Sequence, residues 1–190
     1  MDIIMIRHGE SEDNISRVLS NYDTRLTENG INQIKRTKDF LKNYDFNKVY
    51  YSPLKRTDET RKYLELEGIQ EPRIREVDFG IFTGYRYDEF SNIYPEESKL
   101  WVEDPYNYDV PKGESINTLY NRVVSFLEEV IKQDENILLI THEGIIRVIC
   151  SWVFDEPKYF FRFKVNNGSL SIISVEEGYK YVKKLNCHAD

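Results

Sequence analysis

Arg7 and His8 stand side by side at the end of a short apolar run, Ile3–Ile6, and are followed by Gly9 and Glu10. A guanidinium beside an imidazole suits an oxyanion. The first offers planar, paired N–H donors that match phosphate oxygens, and the second offers a nitrogen that can attack or donate. Two further stretches carry the same kind of residue: Ser52-Pro53-Leu54-Lys55-Arg56 adds an arginine, and Thr141-His142-Glu143-Gly144 a histidine. The chain has only three histidines, and two of them stand in these stretches. Any one of the three stretches alone reads as structural. Their conjunction points to phosphate chemistry.

The elements around these stretches place them at one end of a sheet. Asp2–Ile6 reads as a buried strand, Lys48–Tyr51 as a second, and Asn136–Thr141 as a central one. Each ends where the unusual residues begin, and open parallel sheets collect ligands at the carboxyl ends of their strands. Thr27 is placed to cap a helix that carries Ile31, Ile34 and Leu41 on one side. Ser52 and Pro53 predict an N-cap and first helical residue, with the helix running to about Leu66. Ile74–Val77 suggests a short strand. Ser115–Lys132 is an amphipathic helix at 3.6-residue spacing. A helix starting at His142 would aim free N–H groups and the positive end of its dipole at a bound anion. Ser169–Val175 and Tyr179–Leu185 predict a closing hairpin around Glu176-Glu177-Gly178. Strands alternating with helices give the expected class: an α/β/α three-layer sandwich on a mostly parallel sheet, in a single domain of residues 1–190. Residues 79–113, rich in aromatics and punctuated by glycine and proline, are expected to form a short helical excursion over the site. Their aromatics could line a pocket or build a small core of their own, and composition does not choose between these.

Composition narrows the function further. A net charge of −7 disfavours nonspecific binding to nucleic acid or an anionic membrane surface. It also means that an anion site needs concentrated local positive charge, which the two arginines, two histidines and helix N-terminus supply. No apolar run approaches the length of a membrane span. Two cysteines, Cys150 and Cys187, with no CxxC, point to a reducing cytoplasm. Cys187-His188 near the end of the chain has no partner pair at zinc spacing, and is expected to be a frayed tail rather than a metal site.

In order along the chain, Arg7-His8-Gly9-Glu10-Ser11-x-x-Asn14, Leu26-Thr27-x-x-Gly30-x-x-Gln33, Ser52-Pro53-Leu54-x-Arg56-x-x-x-Thr60, Arg75-Glu76-x-x-Phe79-Gly80-x-x-x-Gly84, Pro111-x-Gly113-Glu114-Ser115 and Thr141-His142-x-Gly144-x-x-Arg147 resemble the motifs of the histidine phosphatase superfamily, in its phosphoglycerate mutase-like branch. A looser echo follows at Asn167-Gly168-Ser169 and Leu185-Asn186. The resemblance implies a metal-independent phosphomonoesterase with no cofactor. His8 would be the nucleophile that becomes phosphohistidine, and Arg7, Asn14, Arg56 and His142 would hold the phosphoryl oxygens. Glu76 would be the general acid and base, with Asp78 as the rival acid. His142 would be favoured as a cation by the bound anion, while His8 would stay neutral with its second nitrogen on a backbone carbonyl. Glu143 stands where the family often has glycine. It is expected to turn its carboxylate outward while its N–H joins the phosphate site. Arg25, where proline is frequent, is expected to be a surface residue.

The chain further resembles the small phosphatases of that family, those acting on α-ribazole 5′-phosphate included, so the expected substrate is a small phosphorylated metabolite. A homodimer is left open. Two rival functions come with the resemblance: a mutase that returns the phosphoryl group to a bound sugar acid, and a noncatalytic phosphate-binding protein. The short excursion disfavours the first, and the joint presence of a nucleophile and an acid disfavours the second.

Overall fold

The computed structural model describes residues 1–19 and 21–188. Its six-stranded sheet has the order β3-β2-β4-β1-β5-β6. The strands are β1 (Asp2–Arg7), β2 (Lys48–Tyr51), β3 (Ile69–Gln70), β4 (Ile137–Thr141), β5 (Leu170–Glu176) and β6 (Tyr179–Cys187). The first four run parallel, while β5 and β6 are an antiparallel hairpin added beside β1. The helices are α1 (Glu12–Ser16), α2 (Glu28–Leu41), α3 (Lys55–Leu64), α4 (Tyr87–Ile93), α5 (Pro95–Glu103), α6 (Ile116–Val130) and α7 (Glu143–Trp152).

Alternation along the strands sorts the core into two layers. Ile4, Ile6, Leu138 and Ile140 face Ile34 and Leu41 of α2 and Leu64 of α3. Ile3, Met5, Ile137 and Leu139 face Leu119, Val123 and Leu127 of α6 and Ile145 and Ile149 of α7. This is the expected three-layer sandwich; continuous apolar strands alternating with 3.6-period helices are what placed it in the sequence. With β1 and β4 in register from Ile3–Ile137 to Arg7–Thr141, His8 and His142 leave the sheet next to each other.

Three local expectations differ from the structure. No strand forms at 74–77. Pro72, which lacks an N–H for a ladder, opens a single 3-10 turn over Pro72–Ile74, and the edge strand is the two-residue β3 before it. The helix after Ser52-Pro53 begins at Lys55, with Leu54 in the cap position; the Ser52 hydroxyl accepts from Leu54 N at 3.4 Å and lies 2.7 Å from His142 Nε2. It ends at Leu64, followed by Glu65 in a left-handed conformation. The chain is not frayed at Cys187, the last residue of β6, which pairs with Leu170 of β5. Arg25 is exposed, as expected.

The excursion divides its aromatics between two jobs. Phe82, Phe90 and Val110 are a small buried core, with the Phe82 and Phe90 rings stacked at 4.3 Å. Phe79 and Trp101 lie at its border and line a cavity beside Glu76. Gly80, at φ +50°, lets the chain pass so close to the 111–113 turn that a Cβ would lie 2.2 Å from the Pro111 carbonyl oxygen.

Candidate active site

His8 is positioned through its backbone on both sides. Its N–H donates to Thr141 O (3.0 Å), and its carbonyl accepts from Gly168 N (3.1 Å) and Asn167 Nδ2 (3.2 Å). The ring Nδ1 lies 2.7 Å from the Gly9 carbonyl oxygen, which only an N–H can satisfy, so the proton belongs on Nδ1. The Nε2 lone pair then faces Arg56 Nε at 3.2 Å. Burial lowers the His8 pKa well below the ordinary histidine value, and the nearby Arg56 and Arg7 lower it further. The result is a neutral imidazole whose Nε2 pair accepts from Arg56 Nε inside a cationic cluster.

Gly9 serves the approach of a helix. A Cβ there would lie 2.5 Å from the Gly30 carbonyl oxygen at the start of α2, so the loop after β1 rests directly on that helix. Thr27 caps the same helix by accepting from Gly30 N at 3.0 Å.

Arg56, only 1% exposed, enters from the first turn of α3 and donates Nη1 to the Asn21 carbonyl at 2.8 Å. Burial pulls its pKa down to about 10, which leaves it charged at neutral pH. Thr60, one turn on, donates to the Arg56 carbonyl (2.7 Å) and accepts from Gly9 N (3.3 Å), tying α3 to the His8 loop. Asn14 accepts three donors on Oδ1, from Ser11 N, Ser11 Oγ and Asn167 Nδ2, at 2.9–3.1 Å. Its own amide N–H groups have no protein partner among the described residues.

His142 is fully buried at the cap position of α7, its ring 5.2 Å from that of His8. Its Nε2 meets Ser52 Oγ at 2.7 Å, and its Nδ1 is buried without a partner. Burial first, then Arg56, His8 and Arg7, hold its pKa well below the usual range. The cation implied for His142 is one that a bound anion favours; without an anion, burial and these positive neighbours favour the neutral ring.

Glu76 follows the 3-10 turn, where its Oε1 accepts from Val77 N (3.0 Å) and Oε2 from Gly144 N (3.5 Å). Burial raises its pKa, against the opposing pull of Arg56 and Arg7. A Cβ on Gly144 would come within 2.4 Å of Glu76 Oε1, so the carboxyl occupies space that only glycine leaves. A second layer fixes the backbone here. Arg122 donates Nη1 to the Arg73 and Arg75 carbonyls and pairs with Glu114, whose Oε1 also accepts from Asp78 N. Asp78 uses Oδ1 to accept from Gly80 N, and so serves the turn.

Glu143 departs from expectation. Its carboxylate turns toward the cluster, with Oε2 2.9 Å from Arg7 Nη1 and Oε1 paired with Arg147 Nη2. Two cations within reach outweigh solvation at this helix start. Arg7 Nη1 also donates to the Val165 carbonyl, while Arg7 Nε is buried without a partner.

Beyond Glu76 opens a cavity of about 240 Å³, lined by Val77, Phe79, Trp101, Phe160 and Phe161 and edged by Glu143 and Arg147. The structure thus brings Arg7, His8, Asn14, Arg56, Glu76, His142 and Glu143 to one end of the sheet. Sequence reasoning did not assign Ser52, Asn167 or Arg147 to this site. Ser52 was hidden behind its ordinary helix-capping value, and the Asn167-Gly168-Ser169 echo was the signal for the second. Among the described residues, no three His, Cys, Asp or Glu side chains come together so as to hold a metal ion. Among the same residues, no helix is long and apolar enough to cross a membrane.

Residues 3–188 match the family model described as histidine phosphatase superfamily, branch 1. Phosphoserine phosphatase 1 of Hydrogenobacter thermophilus is 36% identical, over 98% of this chain and 93% of its own. Adenosylcobalamin/alpha-ribazole phosphatase of Salmonella typhimurium is 28% identical, over 100% and 98%. The crystal structure of the alpha-ribazole phosphatase from Shigella flexneri superposes with a TM-score of 0.92 at 25% identity, covering 100% of this chain and 98% of that one. Fold, motif order and these relatives agree: the chain belongs to the histidine phosphatase superfamily, branch 1, and is a phosphoric monoester hydrolase.

Proposed function

We propose that this enzyme hydrolyses small phosphomonoesters in two steps through a phosphohistidine on His8. The observation that carries this reading is the His8 ring, with its proton held on Nδ1 by Gly9 and its Nε2 pair turned to Arg56, from whose Nε–H it accepts until a phosphoryl group takes that guanidinium. The phosphoryl oxygens are received by Arg7, Arg56, the Asn14 amide and the unpartnered Nδ1 of His142. Nε2 of His8 attacks phosphorus as the bond to the ester oxygen breaks, and the protonated form of Glu76, which burial favours, gives its proton to that oxygen. The alcohol departs. The Glu76 carboxylate then takes a proton from water, whose oxygen attacks the phosphohistidine, releasing inorganic phosphate and the free imidazole. Charge neutralisation by two guanidinium groups does the work that a metal does elsewhere.

The leaving group lies on the Glu76 side and so fills the apolar cavity. Aromatic walls suit an alcohol with a flat apolar part, and α-ribazole 5′-phosphate meets that description. The relatives from Salmonella and Shigella support the same substrate. A second reading, phosphoserine, is favoured by the relative at 36% identity and by the Glu143–Arg147 pair at the cavity edge, which offers one charge of each sign to an amino acid.

The test is turnover of an aryl phosphate, α-ribazole 5′-phosphate, O-phosphoserine and 3-phosphoglycerate with EDTA present. The reading expects hydrolysis of the first two without added metal. Phosphoryl transfer to 3-phosphoglycerate outpacing transfer to water would instead make the protein a mutase. Phosphate binding without turnover would make it a binding protein.

A further inference from the structure

Glu143 is a charged group at the site that the two-step chemistry does not use. Its carboxylate bridges Arg7 and Arg147, the first at 2.9 Å. The two guanidinium groups repel each other, and the carboxylate lying between them relieves that repulsion. The arginine assigned above to a phosphoryl oxygen therefore already carries an anion. A phosphate dianion arriving at Arg7 meets a like charge in a site mostly shielded from water, where screening is weak. Both anions draw on the same guanidinium, whose Nη1 is already shared between Glu143 and the Val165 carbonyl. A way out exists, because the Glu143 and Arg147 side chains are 26% and 25% exposed while Arg7 is held at 12%.

We propose that Glu143 is a displaceable internal anion. It sits on Arg7 in the empty site, yields to the phosphoryl group, and returns as product phosphate leaves. This rests on Arg7 being a phosphate-holding residue. The consequence is an enzyme tuned for release: its affinity for phosphate lies below what the cationic cluster alone would give, and product inhibition is correspondingly weak.

Calorimetric titration of inorganic phosphate into the wild type, Glu143→Gln and Glu143→Gly tests this, together with steady-state kinetics on an aryl phosphate. Glutamine keeps the shape and removes the charge, and glycine removes the side chain altogether. Phosphate should bind about tenfold more tightly to both variants, since juxtaposed like charges oppose binding. KM should fall in step, while kcat stays level or drops as phosphate leaves more slowly. Unchanged or weaker phosphate binding in both variants overturns the proposal, leaving Glu143 only to orient Arg7. Arg7→Ala separates the two levels. Phosphate binding lost in Arg7→Ala but unmoved in Glu143→Gln defeats the Glu143 role alone. Phosphate binding undiminished in Arg7→Ala defeats the assignment of Arg7 and this proposal with it.

Discussion

The phosphate side of the site and the leaving-group side are built by opposite means. On the phosphate side His8, Arg56 and His142 are at most 2% exposed, and each is fixed by directed hydrogen bonds to backbone or to a buried hydroxyl. On the leaving-group side Phe79, Trp101, Phe160 and Phe161 meet one cavity with apolar surface, which makes no directional demand. A phosphoryl group is the same in every ester, so its receptor can be rigid. The alcohol varies, and apolar walls change partners by changing side chains without disturbing the chemistry. Substitutions on the first side should therefore strike rate, and those on the second should strike substrate choice.

The largest break is expected at His8. Replacing it by alanine removes the proposed nucleophile, and turnover of an aryl phosphate should fall by roughly 10⁴-fold or more. Loss of less than tenfold would move the nucleophile elsewhere. Glu76→Gln comes next, with a loss of about 10²–10⁴-fold in kcat, largest for esters of poorly leaving alcohols.

On the proposed mechanism the same pair sets the pH profile. His8 would act when neutral and its pKa is lowered, so kcat/KM should hold until pH falls through that lowered value. Glu76 would act when protonated and its pKa is raised, so activity should decline as pH rises through that higher value. Glu76→Gln should lose the alkaline limb and keep the acid one.

How much of this was legible in the sequence follows the same division. Arg7, His8 and His142 were found because strand ends deliver them and Arg56 because a helix starts just after one, and buried strands are written in the apolar runs Ile3–Ile6 and Ile137–Ile140. The alternation of strands with helices also gave the sheet and its two helical layers. What was not legible depended on side chains meeting across the fold. Ser52 looked like a helix cap until His142 took its hydroxyl, and Glu143 looked like a solvated helix start until Arg7 and Arg147 closed on it. The aromatics of 79–113 could not be divided between core and cavity, since Phe82 and Trp101 differ in position and not in kind. The short strand expected at 74–77 failed because hydrophobicity at Ile74 and Val77 says nothing of the turn that Pro72 imposes.

Smaller effects sharpen the contrast. Ser52→Ala leaves both ring nitrogens of His142 without a protein partner, and kcat should drop about tenfold with the fold intact by circular dichroism. Threonine at the same position should restore part of it. Trp101→Ala should raise KM about threefold to tenfold for an aryl ester, with kcat for a small alkyl ester little changed, as expected from lost apolar contact alone. A large fall in kcat on both esters would mean that the cavity wall also shapes the phosphate side.

The central claim is the covalent intermediate, and rapid-quench mass spectrometry during turnover of an aryl phosphate tests it most directly. The account predicts one phosphoryl group on the chain within the first turnover, mapped to His8, acid-labile, and absent from His8→Ala. Full turnover with no adduct, or an adduct on any other residue, would contradict it.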